Sequence, residues 1–104
     1  MTQEVFGAKW QDDVIALAIE NADIDLKTTE TEQLIVRAVF GGNIASQRKD
    51  AENFTFAVAT GSEATVGVDN TGKVTANVVG TGYVTVTLKD KATIQAVAEV
   101  TVTA

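Results

Sequence analysis

The residues of this chain that could do chemistry are mainly carboxylates. Histidine and cysteine are absent, and fourteen acidic side chains outnumber eight basic ones, which gives a net charge of −6. The commonest general base and any thiolate are therefore missing. The candidates for acid–base chemistry are three close pairs, Asp12 with Asp13, Asp23 with Asp25, and Glu30 with Glu32. We interpret them as solvated carboxylates at turns and sheet edges, and predict that the protein is not an enzyme.

Calcium is the metal that such a composition could bind, because Ca²⁺ prefers oxygen ligands. Asp23, Asp25 and Asp69, together with backbone carbonyls, are the candidate ligands. However, no loop of alternating Asp or Asn with a closing Glu is present. The Gly80–Gly82 segment does not indicate a phosphate site either, because no helix follows it. The sequence therefore predicts neither a metal nor another cofactor.

Aromatic and basic residues are better candidates, for binding a partner. Phe6 and Trp10, the only tryptophan, precede the regular strand pattern, and such residues are enriched at interfaces. We predict that residues 1–13 form an N-terminal extension, which either docks on a partner or folds back over its own sheet edge. Arg48 and Lys49 are the second candidates, since they lie in the long connection 41–53 and sandwich loops often carry recognition.

Alternation of apolar and polar residues predicts the strands that position these groups. Two further sequences, Asp69–Gly72 and Gly80–Gly82, predict turns in which glycine relieves a steric restriction. The pattern corresponds to seven or eight short strands. Their predicted inward side chains are Leu17, Ile19, Ile24, Leu26, Leu34, Val36, Ala38, Phe40, Phe54, Phe56, Val58, Val74, Ala76, Val78, Val84, Val86, Leu88, Ile94, Ala96, Ala98, Val100 and Val102, with Ile15 if the first element is a strand.

Three segments of the chain resemble the bacterial immunoglobulin-like domain, group 2. They are VGVD at 66–69, GKVTA at 72–76 and GTGYVTVT at 80–87. The resemblance implies an all-β, immunoglobulin-like two-sheet β-sandwich over residues 14–104, with Phe56 in the position of a core tryptophan. Helical spacing of Phe6, Trp10, Val14 and Leu17 is the competing interpretation of the first element. The resemblance favours a strand over Ile15–Ile19.

Domains similar to that family occur in phage tail and capsid proteins and in bacterial surface adhesins. Because the chain begins at Met1 and shows no signal peptide, we expect a virion accessory protein, decorating a head or associated with a tail. It would be assembled in the host cytoplasm, with a protein partner in a larger virion assembly. The alternative is a domain of a surface adhesin or carbohydrate-active enzyme, at the bacterial cell surface or secreted, that binds host matrix or glycan weakly.

Two classes of partner are disfavoured by composition. The acidic balance provides no basic patch for nucleic acid. No apolar run approaches the roughly 20 residues that span a bilayer, so we predict no membrane insertion.

Overall fold

The computed structural model describes residues 13–42 and 44–104, which are almost entirely β-structure. The strands are β1 (Val14–Ile19), β2 (Asp23–Lys27), β3 (Thr31–Gln33), β4 (Val36–Phe40), β5 (Gln47–Arg48), β6 (Phe54–Val58), β7 (Val66–Val68), β8 (Lys73–Ala76), β9 (Gly80–Leu88) and β10 (Lys91–Thr103). A short 3-10 helix, Ala51–Asn53, precedes β6. No helix in the described ranges is long and apolar enough to cross a bilayer. The predicted all-β sandwich is confirmed.

The strands form three hydrogen-bonded sheets, ordered β1-β4-β5, β3-β8-β7 and β2-β10-β9-β6. All pairings are antiparallel except that between β2 and β10. Strands β3 and β4 are consecutive parts of one stretch, interrupted only at Leu34 and Ile35. Across this interruption the Leu34 amide donates to the Gly72 carbonyl and the Glu20 amide donates to the Ile35 carbonyl. The two three-stranded sheets therefore join into one layer, which faces the four-stranded sheet.

The strand count exceeds the predicted seven or eight because the described residues contain two additional short strands, β3 and β5. Strand β3 immediately precedes the segment of β4, whose inward residues are predicted from alternation. The connection 41–53, predicted as a loop, contains β5, whose Arg48 and Gln47 pair with Arg37 and Ala38 of β4.

One hydrophobic cluster fills the space between the layers. Its buried members are Val14, Leu17, Ile19, Ile24, Leu26, Leu34, Val36, Ala38, Phe40, Phe54, Val66, Val74, Ala76, Val84, Val86, Leu88, Ala98, Val100 and Val102. Phe56, Val58, Ile94 and Ala96 pack against the cluster but stay half-buried. The period of two in the sequence thus identifies most of the core.

Two predicted core residues are exposed, and each exception has a local cause. The strand over Ile15–Ile19 is confirmed, but a register shift between Val14 and Ala16 inverts its first residues. Val14 is consequently buried, whereas Ile15 is 63% exposed. Val78 is 53% exposed because β8 ends at Ala76 and the chain turns toward Thr65.

The Gly80–Gly82 segment, predicted as a turn, is the beginning of β9. Gly80 does adopt a positive φ of 148°. Gly82 has a different role, since a Cβ at this position would lie 2.9 Å from Cγ2 of the buried Val66. The glycine therefore allows β9 and β7 to approach closely.

Candidate functional site

One flank of the sandwich carries two open grooves, on either side of Phe56 of β6. The first, with a volume of about 280 Å³, is called here the Phe56 groove. It is lined by residues 34–36 together with Gln33, Arg48, Lys49, Asp50, Ala51, Phe56 and Thr71. The second, of about 330 Å³, follows the outer edge of β6 and is lined by Phe54, Thr55, Phe56, Asn70 and Lys89. Both volumes are near the lower end of the range typical of ligand-binding clefts.

The aromatic wall of both grooves is fixed by close packing. The rings of Phe54 and Phe56 meet edge to face, with centroids 6.3 Å apart and an interplanar angle of 74°. Gly72, in the turn between β7 and β8, lies directly against the Phe56 ring. It has a φ of +85°, and a Cβ placed on it would be 2.7 Å from Cε1 of Phe56. Glycine at this position thus permits both the positive φ of the turn and the close contact with the Phe56 ring.

The turn that contacts Phe56 is held by the Asp69 carboxylate. Its Oδ1 accepts hydrogen bonds from the Thr71 hydroxyl at 2.6 Å, the Thr71 amide at 2.9 Å and the Lys73 amide at 3.0 Å. These donors, the Thr71 hydroxyl first, lower the pKa of Asp69. The Gln33 amide group donates to the Thr71 carbonyl and so joins the turn to β3. This wall of the Phe56 groove is therefore preorganised.

An ion-pair cluster fixes β5, which carries the opposite wall. Arg48 binds Glu20 through two hydrogen bonds, Nε to Oε2 at 2.6 Å and Nη2 to Oε1 at 2.8 Å. Arg37 donates to the same Oε2 at 2.7 Å and to Ser46 through Nε and Nη2. The bond from Arg48, and then that from Arg37, lowers the pKa of Glu20 to about 2. The cluster ties β5 to the end of β1 and to β4.

Replacing Glu20 by glutamine should remove part of the acid sensitivity of folding. The folded-state pKa of about 2 lies below the ordinary value of 4.5, so Glu20 stabilises the fold fully above 4.5. This contribution is lost as the pH falls through about 2, because the unfolded chain takes up the proton first. Urea unfolding between pH 6 and pH 2 should give a flatter stability profile for Glu20→Gln.

Arg48→Met provides the reciprocal variant for this test, because it removes the principal donor to Glu20. It should flatten the same part of the profile. Identical pH slopes for the natural chain and both variants would contradict the ion-pair assignment.

The groove combines one aromatic face with hydrogen-bonding groups of both kinds. The Phe56 ring provides the apolar surface, Lys49 a cationic donor and Asp50 a carboxylate acceptor. Lys49 is anchored at its backbone, where its amide donates to the Val36 carbonyl at 3.0 Å. Its ammonium group also donates to Gln47 at 2.9 Å. This arrangement is suited to binding a ligand that presents apolar and polar surface side by side.

The described carboxylate candidates do not converge on a reaction centre. Glu30 accepts a hydrogen bond from the Lys27 amide, and Glu32 accepts one from Asn21. Asp23 and Asp25 are exposed on β2, whereas Asp69 belongs to a turn of the opposite layer. Across residues 13–42 and 44–104, no group of three or more potential ligands could hold a metal ion.

The predicted partner-binding residues have different outcomes. Phe6 and Trp10 lie outside the described residues, as does Asp12. Arg48 and Lys49 both line the Phe56 groove, although the guanidinium of Arg48 is engaged by Glu20. Alternation and the family resemblance both predict Phe56 to be a core residue. Its half-buried position could not be read from the strand pattern, because Phe54 has the same place in the alternation on the same strand and is fully buried.

The comparison with known families is consistent with a binding domain. Residues 9–104 match the model of a family described as "putative auto-transporter adhesin, head GIN domain". The matched range contains the ten strands of the described residues and the Phe56 groove. The comparison with curated proteins finds no match.

This match favours one of the two functional interpretations over the other. It supports an adhesin-type domain at the cell surface or secreted, which is the alternative drawn from the sequence. It supports neither a virion or capsid protein nor, specifically, the immunoglobulin-like group 2 assignment.

Proposed function

The chain belongs to the family of putative auto-transporter adhesin head domains, and on this premise we propose that it is the exposed binding domain of a surface adhesin. Its sandwich presents the Phe56 groove to a ligand on another surface. The observation that carries the proposal is the family match over residues 9–104, combined with a groove whose two walls are fixed by hydrogen bonds.

A glycan is the ligand class that suits this groove best. Sugars expose apolar C–H faces beside rings of hydroxyl groups, which both donate and accept hydrogen bonds. The Phe56 ring complements the former, and Lys49 and Asp50 complement the latter. The groove is open to solvent, so affinity for a single sugar should be weak and adhesion would depend on many copies acting together.

We propose that binding is not accompanied by catalysis. The absence of histidine and cysteine from the sequence supports this view. The lowered pKa values of Glu20 and Asp69 support it as well. A general acid or base near neutral pH needs a pKa close to 7, and both carboxylates are shifted in the opposite direction.

Filling the Phe56 groove should abolish ligand binding without unfolding the protein. Ala51 lines the groove and is half-buried at the beginning of the 3-10 helix. Ala51→Leu adds three carbon atoms at that wall, and we expect it to weaken binding by about tenfold or more through steric exclusion. The measurement is binding of the purified chain to immobilised glycans and matrix proteins.

Ala64→Leu is the matched control, because Ala64 is exposed and does not line the groove. It should bind as the natural chain does. Failure of the natural chain to bind any immobilised glycan or matrix protein would contradict the proposed function. Binding that survives Ala51→Leu would contradict the assignment of the groove, and retention on matrix proteins alone would contradict the glycan class.

A further inference from the structure

We propose that strand β6 is a self-association edge, at which a second copy of this chain adds its own β6 in antiparallel orientation. The proposal does not rest on the proposed ligand binding, although Phe56 belongs both to this strand and to the groove. Strand β6 (Phe54–Val58) pairs with β9 on one side and is the last strand in the order β2-β10-β9-β6. No described strand pairs with its other side.

The hydrogen-bonding groups on the free side of β6 follow from its register with β9. Two hydrogen bonds just beyond the ends of β6 continue its ladder with β9. The Ala59 amide donates to the Tyr83 carbonyl, and the Lys89 amide donates to the Asn53 carbonyl. Because these bonds alternate along an antiparallel pair, Thr55 and Ala57 also face β9. The backbone groups of Phe54, Phe56 and Val58 therefore point outward. The Phe54 amide is already satisfied by the Ala51 carbonyl.

The composition of β6 gives it no protection against pairing. Natural sheet edges are usually protected by charged side chains, bulges or very short strands. Strand β2 carries Asp23, Asp25 and Lys27, β1 has a bulge, and β5 and β7 have only two and three residues. The sequence of β6, FTFAV, has no charge, proline or glycine. It is the kind of segment that adds readily to another strand.

A second copy fits this edge because β6 is complementary to itself. A two-fold axis at Phe56 sets this residue opposite the partner's Phe56, with two reciprocal backbone hydrogen bonds between them. The Val58 amide then donates to the carbonyl of the partner's Phe54, and the symmetric bond forms as well. The result is one continuous eight-stranded sheet across the dimer.

The charged residues near β6 lie outside the strand. Lys89 lies beside Asn53, Glu52 is in the 3-10 helix that precedes the strand, and Glu63 is in the turn that follows it. Since β6 itself is uncharged, the net charge of −6 is not concentrated at the contact.

Sedimentation velocity of the full chain over a range of concentrations tests the proposal. We expect a weak, concentration-dependent dimer. Thr55→Lys, on the outward face of β6, should raise the dimer dissociation constant about tenfold or more, because two like charges meet near the axis. Thr81→Lys is the control, since Thr81 is exposed on the interior strand β9. It should leave the dimer unchanged.

Crosslinking tests the register directly, because the natural chain contains no cysteine. In the proposed dimer Thr55 is opposite the partner's Ala57 as a non-hydrogen-bonded pair, at a Cα separation of about 4.5 Å. That distance permits a disulfide. Mixed Thr55→Cys and Ala57→Cys chains should therefore form the heterodisulfide in excess over both homodisulfides.

Three results would overturn the proposal. They are a monomer at every concentration, equal weakening by Thr55→Lys and Thr81→Lys, and a statistical mixture of disulfides. Each of these experiments is performed without ligand, so a negative result would overturn the dimer and would not bear on the proposed glycan binding. If Thr55→Lys lowers the unfolding midpoint, Ala57→Lys provides a second charged variant on the same face.

Discussion

Replacing Phe54 by alanine should lower the free energy of unfolding by about 3–5 kcal/mol, because the truncation leaves a cavity in a packed core. Phe54 is only 2% exposed and is the largest fully buried side chain of the described residues. The substitution also removes the edge-to-face contact between the Phe54 and Phe56 rings. A domain of this size is typically stable by about 5–15 kcal/mol, so the loss is a large fraction of the total. Urea denaturation followed by circular dichroism measures it.

Tyr83→Ala is the control that separates core packing from aromatic content. Tyr83 is 41% exposed on the outer face of β9, where its hydroxyl is 3.3 Å from Glu99. Its removal should cost about 1 kcal/mol or less. Comparable losses for Phe54→Ala and Tyr83→Ala would contradict the assignment of Phe54 to the centre of the core.

Gly72→Ala should destabilise the fold by about 3 kcal/mol, through two effects that add. A non-glycine residue at a φ of +85° costs about 1–2 kcal/mol. The new Cβ also approaches Cε1 of Phe56 to 2.7 Å, and displacing a packed ring costs about 1–3 kcal/mol. Because Phe56 lines the candidate site, the same variant should weaken ligand binding. Denaturation and binding measured on one preparation give both results.

Gly61→Ala isolates the backbone effect from the steric one. Gly61 has a φ of +96°, but nothing lies within 4 Å of a Cβ placed there. Gly61→Ala should therefore lower the free energy of unfolding only by the backbone contribution, about 1–2 kcal/mol. Equal losses for the two alanine variants would show that the contact between Gly72 and Phe56 contributes nothing.

The faces of most strands could be predicted from the sequence because a pleated strand alternates strictly. Leu34, Val36, Ala38 and Phe40 show this, since all four are buried as the alternation requires. The exposure of Ile15 could not be predicted in this way. It results from a bulge, which depends on how β1 meets β4 and not on the residues of β1 alone.

The candidate site was predictable only in part, for reasons of distance along the chain. Lys49 was singled out because it lies in a long connection of a sandwich, and it does line the groove. The engagement of Arg48 was not foreseeable, because its partner Glu20 is 28 residues away. Phe56 has the same alternation signal as Phe54. Both residues lie on β6, so neither alternation nor sheet order distinguishes the half-buried Phe56 from the fully buried Phe54.

Our central proposal is that the Phe56 groove of this adhesin-type domain binds a glycan and does not cleave it. The most direct measurement is a ¹H–¹⁵N NMR titration of the full chain with the glycan selected by the immobilised-ligand experiment. Shifts should be concentrated at Lys49, Asp50, Ala51, Phe56 and Thr71, which line the groove. Shifts confined to the outer face of β9 and β10, or hydrolysis of the glycan during the titration, would contradict the account.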